Sequence, residues 1–175
     1  MIEIALVLLG IFLYVFLTRR SYLTTKVGAP YVPLEPEIVE EVIKLAELKE
    51  NDIFYDLGSG DGRIVIAAAL RGVKKAYGIE IDSWRNFYSR LWLKLLRLKN
   101  AEIIKNNLFE VDLSRATVVS FYLLPETNDK LKEKLEKELK KETRVIAIAF
   151  PINGWEPIKI DPKGPTYGPI YLYEV

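Results

Sequence analysis

The segment that most constrains the fold is a glycine-rich loop at residues 56–62, with the sequence Asp-Leu-Gly-Ser-Gly-Asp-Gly. A short apolar run, residues 53–57, leads into it, and an alanine-rich apolar run, residues 63–71, follows it. Glycine allows a tight turn and a close approach of backbone to a ligand that a Cβ atom would block. Units of strand, glycine loop and helix bind ligands at the carboxyl edge of open parallel sheets. The loop therefore predicts an α/β fold with a ligand site at that edge.

Strand-like and helical segments alternate along the rest of the chain. Residues 155–175 are rich in Pro and Gly, lack a helical period and predict a terminal antiparallel hairpin. We therefore expect one α/β domain over residues 37–175, with a Rossmann-like, mostly parallel sheet. The predicted strands are 53–57, 76–81, 102–105, 117–124 and 144–150, and the predicted helices are 37–48, 63–71, 83–99 and 128–141.

The spacing within the loop indicates the type of ligand. A dinucleotide fingerprint needs G-x-G-x-x-G, but the last position counted from Gly58 is Arg63. Asp61 would repel a pyrophosphate at the helix N-terminus, whereas S-adenosylmethionine has no phosphate and carries an ammonium group. We therefore predict S-adenosylmethionine as the cofactor. The predicted loop contacts are Asp56, Gly58, Ser59, Gly60, Asp61 and Gly62.

Three residues beyond the loop are predicted to complete the cofactor site. Glu80 ends the second strand about 20 residues after the loop, the spacing at which an acidic side chain binds ribose hydroxyls. Ile81 is expected to pack against the adenine ring. Asn107, which follows the third strand, is expected to reach the adenine edge.

Composition excludes several kinds of chemistry. The chain has no cysteine and no histidine, which rules out thiol nucleophiles, Ser-His-Asp triads and zinc sites with thiolate or imidazole ligands. We expect no metal. The formal net charge of +1 provides no global attraction to nucleic acid, so nucleic acid is not an expected partner.

The N-terminus contains a long apolar run. Residues 4–17 carry no polar side chain except a tyrosine hydroxyl, and residues 2–18 just reach the length that spans a bilayer. Arg19, Arg20 and Lys26 follow the run, which places the remaining chain on the cytoplasmic side. We therefore expect a single-pass anchor at residues 1–20, then a linker and cofactor-bordering arm at residues 21–36. A buried helix is the alternative interpretation of the run.

The predicted helix at residues 83–99 mixes aromatic and basic side chains. Its aromatic residues include Trp84, Phe87, Tyr88 and Trp92, among four arginines and lysines up to residue 97. The more common arrangement packs such aromatics on the sheet and leaves the basic groups in water. Contact with a lipid surface or a nucleic acid is the functional alternative.

Several blocks resemble one family of methyltransferases. These blocks are Pro30-Tyr31-Val32-Pro33, residues 56–69, Tyr88-Ser89-Arg90, residues 144–147, Phe150-Pro151 and Trp155-Glu156-Pro157. From about residue 30 to residue 175 the chain resembles archaeal protein-lysine methyltransferases and their membrane-anchored mitochondrial relatives. Those relatives methylate the ATP synthase c-subunit or the adenine nucleotide translocase. The resemblance implies that Tyr31 and Pro33 border the cofactor and that Trp155 borders the substrate channel.

The expected activity is methyl transfer from S-adenosylmethionine to a lysine amine of a protein, with membrane proteins among the candidate substrates. Only about one lysine in a thousand is neutral at pH 7, so a desolvated channel beside the cofactor is needed to lower the lysine pKa. No residue is assigned to position the amine, because residues 123–126, Leu-Leu-Pro-Glu, lack the polar side chain that opens the corresponding motif of many amino-group methyltransferases. The expected channel residues are Tyr122, Leu124, Pro125, Phe150 and Trp155.

Two other functions remain open at this point. An RNA or small-molecule methyltransferase would use the same cofactor site with a different acceptor. A non-enzymatic protein would bind S-adenosylmethionine without any methyl acceptor.

Overall fold

The computed structural model describes residues 29–175. Along this part of the chain, a helix precedes each of the first three strands, the fourth strand follows directly, and a fourth helix and three further strands complete the C-terminus. The helices are α1 (Pro36–Ala46), α2 (Arg63–Leu70), α3 (Ser83–Leu95) and α4 (Pro125–Glu138). The strands are β1 (Ile53–Leu57), β2 (Lys75–Ile79), β3 (Ala101–Ile104), β4 (Val118–Phe121), β5 (Arg144–Ile148), β6 (Lys159–Asp161) and β7 (Ile170–Glu174).

All seven strands form one sheet in the order β3-β2-β1-β4-β5-β7-β6. Strands β1 to β5 pair in parallel, whereas β7 is antiparallel to both β5 and β6. Every residue of the central strand β4 is buried, as expected for a strand with both faces covered. The structure confirms the predicted Rossmann-like fold, mostly parallel with antiparallel strands at the C-terminal end.

The start of α4 differs from the sequence prediction. The predicted strand 117–124 ends at Phe121, and the helix begins at Pro125 rather than at residue 128. Proline at the first helical position has its φ angle preset and needs no hydrogen-bond partner for its nitrogen. The apolar run at 122–124 therefore forms the connection into α4 and not the end of a strand.

The prediction of a single-pass membrane protein with a cytoplasmic domain is wrong for the part of the chain that the structure describes. Between residues 29 and 175, no helix has the length and apolar character needed to cross a bilayer. The anchor predicted at residues 1–20 lies outside the described residues, as do residues 21–28 of the predicted linker.

Helix α3 also differs from the expected arrangement. Its aromatic side chains are not buried on the sheet: Trp84 and Phe87 are 61% and 59% exposed, and Tyr88 and Trp92 are 45% and 41% exposed. The buried residues of α3 are instead Asn86, Ser89 and Leu93. Ser89 lies against Gly62, where an added Cβ would approach the serine Cβ to 3.0 Å. Small and polar side chains face inward because α3 packs closely on the glycine loop.

Candidate active site

The glycine loop adopts a backbone conformation that favours glycine at three positions. Gly58, Gly60 and Gly62 have φ angles of 81°, 56° and 82°. The amides of Gly58 and Ser59 both donate to the carbonyl of Ile79, at 2.9 and 3.0 Å. These bonds fasten the turn after β1 to the carboxyl end of β2, where the next predicted ligand-binding residue lies.

Glu80 connects the loop to the neighbouring strand. Its carboxylate accepts from the amide of Gly60 at 2.9 Å and from the amide of Asp82 at 2.7 Å. The Arg85 Nε atom lies 3.6 Å from the same carboxylate. Burial raises the pKa of Glu80 above its usual range, although these partners act in the opposite direction. Glu80 therefore shapes the loop in addition to facing the predicted ligand.

Asp56 is a buried carboxyl at the end of β1. Its Oδ1 accepts from the Ser120 hydroxyl at 2.7 Å, across the parallel pairing of β1 with β4. Burial raises the pKa of Asp56 to about 7, because desolvation and the charges of Asp61 and Glu80 outweigh the Ser120 hydrogen bond. Asp56 therefore keeps its proton to a higher pH than an exposed aspartate does.

An arm formed by residues 29–34 lies over the loop. An added Cβ on Gly60 would approach the Tyr31 ring to 2.8 Å, and the Arg85 guanidinium lies 5.0 Å from the centroid of the same ring. Arg63 binds the Asp61 carboxylate through Nε at 2.9 and 3.0 Å and also donates to the carbonyl of Leu34. Burial tends to raise the pKa of Asp61, but its hydrogen bonds and ion pair with Arg63 lower it overall. The arm is thus held by aromatic, cation–π and charged contacts.

The arm, the loop and the ends of β1, β2 and β4 enclose a cavity of about 780 Å³, including the part open to solvent. The predicted cofactor residues that line it are Tyr31, Pro33, Asp56, Gly58, Ser59, Gly60, Asp61, Glu80 and Ile81, and Tyr122 of the predicted channel lines it as well.

Two predicted cofactor residues lie outside this lining. Gly62 is the N-cap residue of α2 and packs against Ser89. The Asn107 amide group donates to Glu110 and its Oδ1 accepts from the amide of Phe109, so its side chain stabilises the loop after β3. The neighbouring Asn106 lines the cavity instead. Nothing in the sequence distinguishes these adjacent asparagines, since the turn after β3 decides which one points toward the ligand.

Four predicted channel residues also lie outside the lining. Leu124 and Pro125 form the start of α4, and both the Thr127 and Asn128 amides donate to the Leu124 carbonyl. The Leu124 carbonyl is therefore already used by the first turn of the helix. The Phe150 carbonyl accepts from the Asn128 side chain at 3.1 Å.

Trp155 is held by α4 and β7. Its indole Nε1 donates to Glu136 at 2.9 Å, and its ring contacts Tyr173 edge-on with centroids 5.7 Å apart. These contacts describe a structural position for the tryptophan, so its channel role stays a prediction.

Sequence reasoning missed several residues of the cavity. Arg63, Arg85, Leu123 and Asn106 all line it. Arg85 lies one helical turn from the N-cap residue Asp82, which accepts from its amide at 2.8 Å. A basic residue in the first turn after Glu80 is the sequence signal that could have identified Arg85 as a partner of that carboxylate.

We expect Gly60→Ala to weaken cofactor binding by about tenfold, because the new methyl group meets the Tyr31 ring in a backbone conformation that already disfavours alanine. Gly72→Ala is the matched control. Gly72 has a φ angle of 79° but no neighbour within 4 Å of an added Cβ. Calorimetric titration with S-adenosylmethionine measures the affinity of both variants. Equal affinities would show that the close contact of Gly60 with the Tyr31 ring does not affect cofactor binding.

We expect Asp56→Asn to remove a pH dependence of stability. A carboxyl whose folded pKa exceeds its unfolded value favours the folded state at low pH, and this contribution is lost as pH rises toward about 7. The wild type should therefore lose up to about 1.4 kcal/mol per pH unit between pH 4 and 7 through this group. Urea unfolding across that range tests it, and identical slopes in both proteins would contradict the assignment.

The composition of the cavity fits the predicted cofactor. Three carboxyl side chains line the site: Asp56, Asp61 and Glu80. The site also has two arginines, of which Arg63 pairs with Asp61 and Arg85 lies beside Glu80. The buried hydroxyl of Ser59 has no hydrogen-bond partner in the part of the chain that the structure describes. These groups suit a ligand with an ammonium group and hydroxyls better than one with a pyrophosphate.

Comparisons with known proteins find methyltransferases. Residues 56–159 match the family described as the ANTKMT methyltransferase domain. A protein-lysine N-methyltransferase of Saccharolobus islandicus is 44% identical over 83% of this chain and 93% of its own length. The human lysine N-methyltransferase named for the ATP synthase c-subunit is 36% identical over 79% of this chain and 59% of its own.

Among solved structures, an RNA methyltransferase from Salinibacter ruber in complex with S-adenosyl-L-homocysteine is similar. It is 37% identical, covers 82% of this chain and 94% of its own, and superposes with a TM-score of 0.77. The predicted use of S-adenosylmethionine is thereby confirmed. Because the family match covers more than half of the chain and includes the whole glycine loop, this chain belongs to the ANTKMT methyltransferase domain family and is an S-adenosylmethionine-dependent methyltransferase.

Proposed function

We propose that this enzyme transfers the methyl group of S-adenosylmethionine to a lysine amine of a protein. The observation that carries the proposal is the 44% identity, over nearly the whole length of both chains, to a protein-lysine N-methyltransferase. The human relative is likewise a lysine N-methyltransferase. These relatives bear out the lysine activity predicted from the sequence.

The residues around the cavity would hold the cofactor in complementary ways. Asp56 and Asp61 offer carboxylates to an ammonium group, and Glu80 keeps lone pairs on both oxygens for ribose hydroxyls beyond the two amides it already accepts. When bound, S-adenosylmethionine supplies an electrophilic methyl group. The Tyr31 ring and Pro33 line one side of the site.

The acceptor lysine must release a proton to solvent water before its neutral amine attacks. Tyr122 and Leu123, at the carboxyl end of β4, form the part of the cavity wall nearest the predicted channel. Leu123 is only 4% exposed, so a lysine chain beside it is desolvated and its pKa falls. Burial, with a smaller contribution from Tyr167, raises the pKa of Tyr122, so its phenol stays neutral at physiological pH. We assign the Tyr122 hydroxyl oxygen as the acceptor that orients the amine.

Tyr122→Phe is expected to lower kcat/KM for the protein substrate by about tenfold, because one hydrogen bond of about 1 to 1.5 kcal/mol is lost. Cofactor affinity should stay within twofold of the wild type. Tyr77→Phe, which removes the hydroxyl of a half-buried tyrosine on β2, is the control and should leave both quantities unchanged. A Tyr122→Phe enzyme with full turnover would remove Tyr122 from this role.

The proposed activity is tested by incubating the full chain with methyl-labelled donor and a cell extract. Label in protein that is recovered as methylated lysine after hydrolysis supports the proposal. The Salinibacter ruber structure, named as an RNA methyltransferase, gives the rival acceptor a specific basis. Label in nuclease-sensitive material alone would establish that rival, and cofactor binding without any transfer would leave only a binding protein.

A further inference from the structure

Helix α3 buries small and polar side chains and exposes most of its large apolar ones, which is the reverse of an ordinary amphipathic helix. Within residues 29–175, it and the residue after it leave seven large apolar side chains 41% to 63% exposed. At 100° per residue, the six within the helix fall in an arc of about 140° opposite its buried face. These seven residues, here called the α3 apolar face, are Trp84, Phe87, Tyr88, Leu91, Trp92, Leu95 and Leu96.

The aromatic members of the face contact one another in pairs. Trp84 lies 6.0 Å from Phe87, and Tyr88 lies 6.0 Å from Trp92, measured between ring centroids. Contiguous apolar patches of this kind are uncommon on monomeric proteins and mark interaction surfaces.

The charges around the face have one sign. Residues 83–99 contain no aspartate or glutamate, and the exposed basic residues are Arg90, Lys94, Arg97 and Lys99. On the helix, Arg90 and Lys94 lie along one flank of the apolar arc. Tryptophan, phenylalanine and leucine flanked by lysine and arginine form the pattern of helices that lie in the interface of anionic membranes.

Two other occupants fit the face less well. In a two-fold dimer the same patch meets itself, which would place these basic residues against their own copies. A single-stranded nucleic acid would use the aromatic rings, but Leu91, Leu95 and Leu96 have no π face on which a base could stack. The aliphatic share of the face therefore favours lipid.

We propose that the α3 apolar face docks on an anionic lipid surface, with the aromatic and leucine side chains in the interface and the basic residues at the headgroups. This is a peripheral contact of the catalytic domain, made by a helix of the described structure, and it does not depend on which acceptor is methylated. Ile81, which lines the cavity and is 37% exposed, lies two residues before the start of this helix. Docking would hold one edge of the cavity close to the lipid surface.

Tryptophan fluorescence of the full chain tests the proposal, because the three tryptophans lie on different parts of the molecule. Trp155 contacts β7, near the opposite edge of the sheet from β3, against which α3 packs. Single-tryptophan variants are W92F/W155F, W84F/W155F and W84F/W92F. They are mixed with vesicles of phosphatidylglycerol and phosphatidylcholine that carry brominated acyl chains.

We expect bromine to quench Trp84 and Trp92 and to leave Trp155 unquenched. Unquenched Trp84, or equal quenching of all three, would overturn the proposal, since another part of the chain would then make the contact. A Trp84 emission that responds to RNA but not to vesicles would also overturn it. So would a blue-shifted Trp84 without vesicles, because the face would then be covered by protein.

The role of charge is tested with R90Q/K94Q. Each basic residue near an anionic surface strengthens binding about fivefold, so quenching of Trp84 should need roughly 30-fold more anionic vesicles. The control K130Q/K137Q removes the same charge from exposed positions of α4 and should leave the titration unchanged. If both double variants needed the same increase in vesicle concentration, the net charge of the protein alone would explain its attraction to the vesicles. That result would contradict docking through α3.

Discussion

Replacing Glu80 with alanine is expected to weaken S-adenosylmethionine binding by about 100-fold. The substitution leaves the amides of Gly60 and Asp82 without their acceptor and removes the carboxylate 3.6 Å from Arg85 Nε. Glu80 is 5% exposed, so water replaces it poorly. Hydrogen bonds to a charged group contribute about 1.5 to 3 kcal/mol each, and 100-fold corresponds to about 2.7 kcal/mol.

Calorimetric titration of E80A, E80Q and E102A makes this test specific. Glu80→Gln keeps one acceptor oxygen and should bind with intermediate affinity. Glu102 is an exposed carboxylate on β3 that pairs with Lys75, so Glu102→Ala should bind as the wild type does. If E80A kept its fold, judged by its unfolding transition, and bound within threefold of the wild type, Glu80 would not be part of the cofactor site.

The second large effect is expected at the amino ends of the strands, where Asp52→Ala should lower the free energy of unfolding by about 3 to 5 kcal/mol. Asp52 is bound by Arg144 Nη2 at 2.7 and 2.6 Å, by the Thr117 hydroxyl at 2.7 Å and by the Lys49 amide at 2.6 Å. The Arg144 and Asp52 side chains are only 12% and 7% exposed. The alanine variant therefore leaves a buried guanidinium without its counterion.

The effect of Asp52 should depend on pH in a defined direction. Burial tends to raise the pKa of Asp52, but its hydrogen bonds from Lys49, Arg144 and Thr117 hold it below the usual value. A lowered folded pKa stabilises the protein above the unfolded pKa of about 3.9 and loses this effect as pH falls. The difference between wild type and Asp52→Ala should therefore be constant above about pH 5 and shrink below pH 4.

Urea unfolding at several pH values measures this difference, with Glu40→Ala as the control. Glu40 and Arg71 also form an ion pair, but their side chains are 46% and 49% exposed. An exposed pair is worth under about 1 kcal/mol, so the control should change stability little. Similar losses of unfolding free energy in the two variants would show that burial does not make the Asp52–Arg144 pair more stabilising than an exposed pair.

Most of the cavity lining on the predicted cofactor side could be predicted because its residues are local in sequence. The loop from Asp56 to Asp61 and the carboxylate of Glu80 lie at the ends of two adjacent strands, and parallel strands place their carboxyl ends at one edge. The arm at Tyr31 and Pro33 came from a family resemblance, since no local pattern says where an extended segment folds back. The structure places it over Gly60.

The substrate side was predicted less well. The run 122–124 is apolar throughout, and pattern alone does not show that Leu123 lines the cavity while the Leu124 carbonyl caps α4. The position of Pro125 marks a helix start, but its meaning depends on where β4 ends. Side chains at such a junction are directed by the packing of α4 on the sheet.

By itself, the sequence determined the alternation of strands and helices, the glycine loop and the acidic residue that follows it, because these depend on local backbone preferences and short spacings. Only the tertiary structure decided which of two adjacent asparagines reaches the cavity and which face of α3 points outward. Periodicity identifies a face of a helix but not its partner. Here the close contact of Ser89 with Gly62 turned the small and polar face inward and left the apolar one exposed.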